Sequence, residues 1–521
     1  MSSKLTSTIA EKAQEYLPLA VEMLKEVIRI PADYVDKPTS EGGDPQCGLS
    51  NHEGPRVEYL KSKIIEIGAV AKPEDVYFDR YGNLIWDVEN PDDGIPREQK
   101  KVIWYDGHTD TVQALREQWH SKIGGGIDVY DGLTDISRAD EEFLKSQLGH
   151  VPPKSEWEHL IFGRGGADQL GGVISQVIAT KIMLETKELG SLDGLILKSI
   201  GTITEEDNDG GGPMFILREY LANAPSHMAP DCVMFTEPTG SSERGALGIY
   251  RGQRGRMIIE VEVIGQSCHG SMPWMGKNPF EWGSKIIAEA ADAYDKMEGM
   301  MDDPFLGHGT RTASWCTIDT PSDCAVPDRF VFRFDRRLTA GETAEFAVKT
   351  IEDLKAVSNA RDAGLTVSVR VPRYTEKSWR GTPADNDMIY PGWKTPEDHE
   401  CLKAACKTYE EVVTPYVTKE DMGNGESWRI KKEVRLERFV FSTDGVGFVK
   451  TKEQYQKIVP KEVTDAKKWC QVGDLLWPPM LAFSAGHEQN THKIGEFTDA
   501  RELKHGIAFL SKFPSMFAAK N

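Results

Sequence analysis

The stretch "SIGTITEEDNDGG" (residues 199–211) sets four carboxylates directly after a run of apolar and β-branched residues. The run is typical of a buried strand, and the acids that follow it are Glu205, Glu206, Asp207 and Asp209. Carboxylates this close raise one another's pKa values and repel, unless a cation lies among them. The stretch is therefore either a solvated acidic turn or a cation site at the end of a strand.

The composition limits the classes of protein to consider. With 521 residues the chain is long enough for two or more domains, since single cores stop growing at roughly 250–300 residues. The net charge of -20, from 62 Lys+Arg against 82 Asp+Glu, argues against a nucleic acid or an anionic membrane as the main partner.

The amphipathic, charged N-terminus is not typical of a signal peptide, and no stretch has the roughly 20 apolar residues of a membrane span. Eight scattered cysteines without a C-x-x-C pair predict reduced thiols and a cytoplasmic protein.

Short apolar segments predict strands that are covered on both faces, because they are continuous and do not alternate. They are residues 102–105, 160–162, 195–203, 232–235 and 479–483. Helical patterns over 172–186 and 213–222 lie among them. This order predicts an α/β fold with a mixed, largely parallel sheet covered by helices.

The middle of the chain has a different pattern. Residues 256–265 alternate with period two, and the order that follows is helix, strand, strand, helix, strand. This is the βαββαβ order of a ferredoxin-like α+β unit. We expect residues 251–380 to form a smaller domain that is inserted into a catalytic domain made of residues 1–250 and 381–521. Three polar segments, 32–54, 134–159 and 417–438, are predicted to be surface loops.

Each apolar segment is followed by histidine or carboxylate side chains, and ligands of open α/β sheets bind beyond the carboxyl ends of the strands. Imidazole and carboxylate ligands without thiolate fit zinc, and manganese or cobalt also suits such a set. Two metals about 3.5–4 Å apart need a bridging carboxylate and terminal ligands on each side. Asp168 is the predicted bridge, Asp110 is placed to orient the first histidine, and the terminal ligands are His108, Glu206, Glu237 and His487.

Two cations would also explain the crowded carboxylates of residues 199–211. Neighbouring side chains of extended backbone point in different directions, so Glu206 can face a metal while Glu205 faces the reactive water. Asp207 and Asp209 are interpreted as turn residues in front of the glycines. His120 and His492 lie near the ligand segments and have no assigned role.

These motifs resemble a known family. H-T-D-T-V, G-R-G-x-x-D-Q-x-G-G, T-E-E-D, T-E-P, C-H-G-S-x-P and a late G-H occur in the order found in co-catalytic dizinc amidohydrolases. That superfamily includes aminoacylase, acetylornithine deacetylase, succinyl-diaminopimelate desuccinylase and glutamate carboxypeptidases. Finer features such as "YRGQRGRM" and "FSTDGVGF" are most similar to the YgeY-type hydrolases linked to selenium metabolism.

The resemblance implies the same five metal ligands, with Glu205 as general base and Asp110 supporting His108. It implies that His269 stabilises the oxyanion, across a homodimer formed through the inserted dimerisation or lid domain. Arg337 would bind a substrate carboxylate, although Cys324 stands where relatives carry an asparagine.

The function that follows is a zinc-dependent hydrolase with two zinc ions, cleaving the amide bond of a small N-acyl amino acid, a dipeptide or a related derivative. A nucleotide-dependent enzyme is the first alternative, but the Gly-rich segment "GRGGADQLGG" lacks the lysine of a P-loop. The second alternative is a non-catalytic metal-binding or assembly protein of the same descent. Such a protein would be expected to have lost a ligand or Glu205, and every such position is filled. Filled positions do not prove turnover, so this alternative stays open.

Overall fold

A computed structural model of the chain describes residues 2–32, 52–124, 126–134, 136 and 138–519. The helices are α1 (Ser2–Ile28), α2 (Gly54–Glu66), α3 (Arg116–Ile123), α4 (Glu141–Leu148), α5 (Gly171–Glu185), α6 (Glu205–Asn208), α7 (Gly211–Ile216), α8 (Pro279–Asp295), α9 (Ala344–Glu352), α10 (Lys355–Asp362), α11 (Glu400–Val412), α12 (Lys419–Met422), α13 (Lys452–Gln456), α14 (Lys461–Ala466) and α15 (Ala500–Ala518).

The strands are β1 (Val76–Phe78), β2 (Leu84–Glu89), β3 (Lys101–His108), β4 (Leu160–Phe162), β5 (Leu195–Thr202), β6 (Cys232–Phe235), β7 (Ile249–Gln253), β8 (Gly255–Ile264), β9 (Cys268–His269), β10 (Asp302–Asp303), β11 (Gly307–His308), β12 (Thr310–Asp319), β13 (Ala325–Val326), β14 (Arg329–Leu338), β15 (Thr366–Arg370), β16 (Arg373–Tyr374), β17 (Asn386–Asp387), β18 (Ile389–Tyr390), β19 (Trp393–Lys394), β20 (Leu436–Phe439), β21 (Lys450–Thr451), β22 (Cys470–Val472), β23 (Leu475–Trp477), β24 (Met480–Ala482) and β25 (Phe497–Asp499).

The main sheet has the order β1-β2-β5-β3-β6-β24-β7-β19, with β20 paired to β7. Its centre is parallel, because β3 pairs in parallel with β5 and β6, and β6 pairs in parallel with β24. Every residue of β5 and β6 is buried, and the central strands are covered by α5 and α15 on one face. The predicted mixed, largely parallel sheet is confirmed.

A second, antiparallel sheet has the order β12-β14-β8-β15, with β18 added to β8. Helix α8 connects β8 to β12, and α9 and α10 connect β14 to β15, which is the predicted βαββαβ order. The period-two pattern of β8 also holds, since Ile259, Val261 and Val263 lie in the core of this unit. The boundaries 251–380 for a separate domain stay a prediction.

One segment that is predicted to be a loop contains a helix and buried side chains. Residues 134–159 are predicted to be a polar surface loop, but their described part contains α4 and buries Leu144, Leu148 and Trp157 in a small apolar cluster with Trp119. The segment is polar on average because only one face of α4 packs inward. The predicted loop over 32–54 lies largely outside the described residues. Among the helices that the structure describes, none has the length and apolar character needed to cross a membrane.

Candidate metal centre

The carboxyl ends of three adjacent strands bring the candidate ligands together. Because β3 lies between β5 and β6, His108 at the end of β3 is next to the acidic residues that follow β5 and to Glu237, which follows β6. Its Nε2 atom lies 3.8 Å from Glu237 Oε1 and 3.9 Å from Glu205 Oε2. The main sheet therefore provides one side of the centre directly.

Asp168 reaches the centre by another route. The segment before it, β4, is predicted to belong to the main sheet, but it pairs with β25 in a separate two-stranded sheet. Glu496, just before β25, accepts the backbone N–H groups of Ala167 and Asp168 at 3.0 and 3.1 Å, and its other oxygen accepts from Arg164 Nη1 at 2.6 Å. Asp168 is thus positioned by a buried ion pair that the sequence pattern does not reveal.

Two groups of side chains meet at Asp168. Its Oδ1 lies 3.0 Å from His108 Nε2, and its Oδ2 lies 3.2 Å from His492 Nε2. His492 Nε2 also lies 3.1 Å from Glu206 Oε2. Within each of the groups His108–Asp168–Glu237 and Asp168–Glu206–His492, one possible ligand atom per residue lies within 4.8 Å of the others. The carboxylate of Asp168 is the member that the two groups share.

His487 does not join either group. Its Nε2 lies 2.9 Å from Glu502 Oε1, and the other oxygen of Glu502 accepts the backbone N–H of Gly486 at 2.9 Å. The predicted ligand is therefore engaged by a carboxylate of α15, whereas His492, five positions later in the sequence, lies beside Glu206. This differs from the assignment made from the late G-H motif.

Asp110 connects the two sides of the centre. Its backbone oxygen lies 3.0 Å from His108 Nδ1, and its carboxylate Oδ1 lies 3.5 Å from the same nitrogen. The same carboxylate accepts the backbone N–H groups of Glu205 and Glu206 at 3.1 and 3.0 Å. Asp110 therefore orients the imidazole of His108 and also holds the start of the acidic turn.

The pKa shifts of the buried carboxylates and of His108 indicate a site suited to cations. Burial, followed by the neighbouring carboxylates, raises the pKa values of Glu205 and Glu237 well above the ordinary range, although His108 opposes the shift. Burial opposes protonation of His108, but its contacts with Asp110 and Asp168 raise its pKa well above the ordinary value. Carboxylates and imidazoles that lie this close together fit two divalent cations, which would replace the protons.

A pocket of about 300 Å³ opens beside these residues. Its lining includes Glu205, Glu206 and Glu237, and also Arg337, Ser442 and Phe441. Arg337 makes two bonds to Asp335, from Nε at 2.8 Å and from Nη2 at 3.2 Å, and its Nη1 donates to Ser442 Oγ at 3.3 Å. The predicted substrate-binding arginine therefore does face the pocket.

His269 is not among the residues that line this pocket. It lies in β9, its side chain is exposed, and its Nδ1 accepts the backbone N–H of Ser271 at 3.1 Å. The neighbouring Gly270 donates its N–H to the oxygen of Cys324 at 2.7 Å, so Cys324 supports the turn that carries His269. Within one described chain, the predicted oxyanion residue is apart from the metal centre.

His492 is the residue that the sequence reasoning missed. No periodic pattern indicates which of His487 and His492 is the ligand, because both lie in the loop before β25. The available indication is local: Glu496, which holds Asp168, follows His492 by four positions in "HKIGE". The missed contact is tertiary, so spacing by itself could not identify it.

A largely parallel sheet with histidines and carboxylates at its carboxyl edge, together with a smaller α+β unit, is typical of a class of metallohydrolases. A family model of the M20 peptidase dimerisation domain matches residues 251–362. The uncharacterised protein YgeY of Escherichia coli is 30% identical over 442 residues, which cover 85% of this chain and 86% of YgeY. The chain therefore belongs to the M20 metallopeptidase family, whose members are metal-dependent hydrolases of peptide or amide bonds.

Two further relatives extend the comparison. A probable succinyl-diaminopimelate desuccinylase of Staphylococcus aureus is 31% identical over 191 residues, which cover 36% of this chain and 42% of the relative. The crystal structure of Bacillus subtilis YXEP, described as a dinuclear metal-binding peptidase of the M20 family, matches with a TM-score of 0.53 and 12% identity. That match covers 96% of this chain and 98% of the neighbour, and at this identity it shows the shared fold.

Proposed function

We propose that the chain is a two-zinc hydrolase that cleaves the amide bond of a small N-acyl amino acid, a dipeptide or a related derivative. The observation that carries the proposal is Asp168, whose two oxygens face His108 and His492 respectively. A carboxylate between two imidazoles, each with a further glutamate nearby, is what a bridged two-metal site requires.

The proposed ligands are His108, Asp168 and Glu237 for one ion and Asp168, Glu206 and His492 for the other. His492 replaces His487 in this set because of its contacts with Asp168 and Glu206. The histidine and carboxylate donors support zinc and also suit manganese or cobalt. When bound, the two ions would polarise the scissile carbonyl and activate a water molecule.

Glu205 is the proposed general base. Its side chain is buried and lines the pocket next to the ligands. A carboxylate there takes a proton from the attacking water and delivers it to the leaving nitrogen, so that the amine departs neutral. Arg337 binds a substrate carboxylate with the N–H hydrogens that Asp335 and Ser442 do not use, a task that suits a planar guanidinium.

The remaining parts of the proposal concern the assembly. The match of residues 251–362 to a dimerisation domain supports a homodimer formed through the predicted 251–380 domain. In such a dimer, His269 would stabilise the oxyanion in the partner's site, consistent with its exposure and its distance from the pocket of its own chain. The described cysteines are free, in keeping with the predicted cytoplasmic location.

The first experiment measures bound zinc per chain and hydrolysis of N-acetyl amino acids, N-succinyl amino acids and dipeptides. We expect two equivalents of zinc in the wild type and a clear loss in Asp168→Asn, which keeps the size of the side chain. Glu205→Gln should keep both ions and lose roughly 100-fold or more of its turnover. A wild-type protein that stays metal-free in zinc would refute the mechanism, and full metal content without hydrolysis would favour the non-catalytic alternative.

A further inference from the structure

The turn that carries Glu205 and Glu206, residues 204–209, is called the acid turn below. Its only regular part is α6, four residues long, closed by the bond from Asn208 N–H to the oxygen of Thr204 at 2.9 Å. A single helical turn is not stable by itself in water, because nucleation costs more than one hydrogen bond returns. The conformation of the acid turn must therefore be imposed by its surroundings.

The backbone on both sides of α6 supports this view. Thr204 has a φ of 66° and Asp209 a φ of 39°, and non-glycine residues rarely adopt such values. Residues in these regions are strained and persist only where neighbouring contacts determine them. The acid turn is thus a strained element beside the proposed reaction centre.

The first half of the acid turn is held by its backbone, through Asp110 after β3 and Glu53 before α2. Asp110 accepts the N–H groups of Glu205 and Glu206, and Glu53 Oε1 accepts the N–H of Thr204 at 3.2 Å. These bonds fix the start of the turn but leave its second half to other partners.

The second half is held by side chains from the smaller antiparallel sheet and the strands next to it. The Tyr374 hydroxyl in β16 donates to Asp207 Oδ2 at 2.7 Å. Asn386 in β17 exchanges two amide hydrogen bonds with Asn208, at 2.9 and 3.1 Å.

Two further bonds complete this set. The Tyr390 hydroxyl in β18 donates to Asn208 Oδ1 at 2.5 Å, and Arg256 Nη1 in β8 donates to Asp209 Oδ1 at 2.5 Å. Ser442 also donates to Asp209. Asp207 and Asp209, interpreted from the sequence as turn residues, are therefore both bound by side chains of other elements.

We propose that Tyr374 and Asn386 are positioning residues, which hold the acid turn so that Glu205 and Glu206 point into the pocket. Asp207 and Asn208 are the next residues along the same turn, so a shift of either side chain moves the backbone that carries the two glutamates. The two-stranded sheet of β16 and β17 would in this way set the geometry of the centre from outside it. The inference rests on the proposed function for the role of Glu205, but the contacts themselves do not.

The test compares Tyr374→Phe, Asp207→Ala and Asp207→Asn with the wild type, each purified and loaded with Co²⁺. Tyr374→Phe keeps the ring and removes only the hydroxyl, so the variant should fold. Tyr16→Phe is the matched control. The Tyr16 hydroxyl in α1 also donates to a carboxylate, that of Glu185 in α5, at 2.8 Å, and neither residue lines the pocket.

We expect Tyr374→Phe and Asp207→Ala to bind two equivalents of Co²⁺ with an altered visible absorption spectrum, because Glu206 changes position. On any substrate that the wild type hydrolyses, kcat should fall roughly 10–100-fold with little change in KM, as for a misplaced reactive group. Asp207→Asn should recover most of both properties, since its amide oxygen still accepts from Tyr374. The double variant Tyr374→Phe/Asp207→Ala should lose no more than either single variant, because both remove the same bond.

A Co²⁺ spectrum and a kcat for Tyr374→Phe equal to those of the wild type and of Tyr16→Phe would overturn the proposal. So would a failure of Asp207→Asn to differ from Asp207→Ala. If the wild type hydrolyses nothing, the proposed function fails, and the Co²⁺ spectra still decide whether Tyr374 positions the ligands.

Discussion

At the residue scale, the identity of the second histidine depends on which carboxylate it meets. His487 is buried and contacts Glu502, whereas His492 is exposed and contacts Asp168 and Glu206. Among the described residues, His487 belongs to neither group of candidate ligands, whereas His492 shares one group with Asp168 and Glu206. The two residues should therefore respond differently to the same substitution.

We predict that His492→Gln loses about one of two zinc equivalents, because one terminal donor is removed from a bridged site. His487→Gln should keep both equivalents and lose about 1–3 kcal/mol of unfolding free energy, since Glu502 stays buried with a weaker partner. Zinc analysis after dialysis and denaturant unfolding measure the two effects. The reverse pattern, with zinc lost only in His487→Gln, would restore the assignment made from the sequence.

At the element scale, the insertion over residues 134–159 is anchored by one side chain. Glu156 accepts from Arg429 at 2.6 and 2.7 Å and from Arg501 Nη1, at the start of α15, at 2.7 Å. One carboxylate thus ties two predicted loops, 134–159 and 417–438, to the last helix of the main core.

These bonds make the stability of this region depend on pH. Hydrogen bonding from Arg429, and then from Arg501 against the opposing effect of burial, lowers the pKa of Glu156 to about 2. An acid whose pKa is lower in the folded state stabilises that state above its ordinary pKa of roughly 4.3, and this contribution is lost as the pH falls toward 2.

We predict that Glu156→Gln lowers the unfolding free energy by about 1–3 kcal/mol near pH 7, with a difference that closes toward about pH 2. Denaturant unfolding across this pH range measures the difference. Glu158→Gln, at an exposed position of the same segment, is the control and should differ little from the wild type at any pH. An equal loss in both variants would mean that the ion pairs do not anchor the insertion.

At the scale of the whole molecule, the site that we propose is complete only in a dimer. His269 is in the smaller α+β unit and does not line the pocket of its own chain. The outer strand of that unit, β12, is ten residues long, pairs on one side with β14, and exposes Trp315 and Ile318. An exposed edge with apolar side chains is suited to pairing with a second copy of the chain, in keeping with the proposed dimer.

We predict that mixing Glu205→Gln chains with His269→Ala chains restores activity that neither has separately. In a hybrid dimer, one site then combines an intact Glu205 with the partner's intact His269, and the other site has both lesions. With random exchange, half of the dimers are hybrids, so activity should reach about a quarter of the wild type. Activity that stays at the level of the two separate variants would show that His269 acts within its own chain.

The local pattern of the sequence predicts most strands of the two sheets and the first half of the centre, but not α4 or the pairing of β4. Continuous apolar runs predict β3, β5, β6 and β24, and the motifs after them contain His108, Glu205, Glu206 and Glu237. Parallel neighbours must end at the same edge, so these residues converge whatever the rest of the chain does. Period two predicts the smaller sheet in the same way, because each strand hides one face.

Contacts between residues distant in the chain could be decided only by the tertiary structure. In it β4 pairs with β25, His487 contacts Glu502, and His492 contacts Asp168. It also makes Asp207 and Asp209, interpreted from the sequence as turn residues, the points at which Tyr374 of β16 and Arg256 of β8 hold the acid turn. The chain pattern specifies which face of an element is buried, whereas the partner of a buried polar group is chosen by packing in three dimensions.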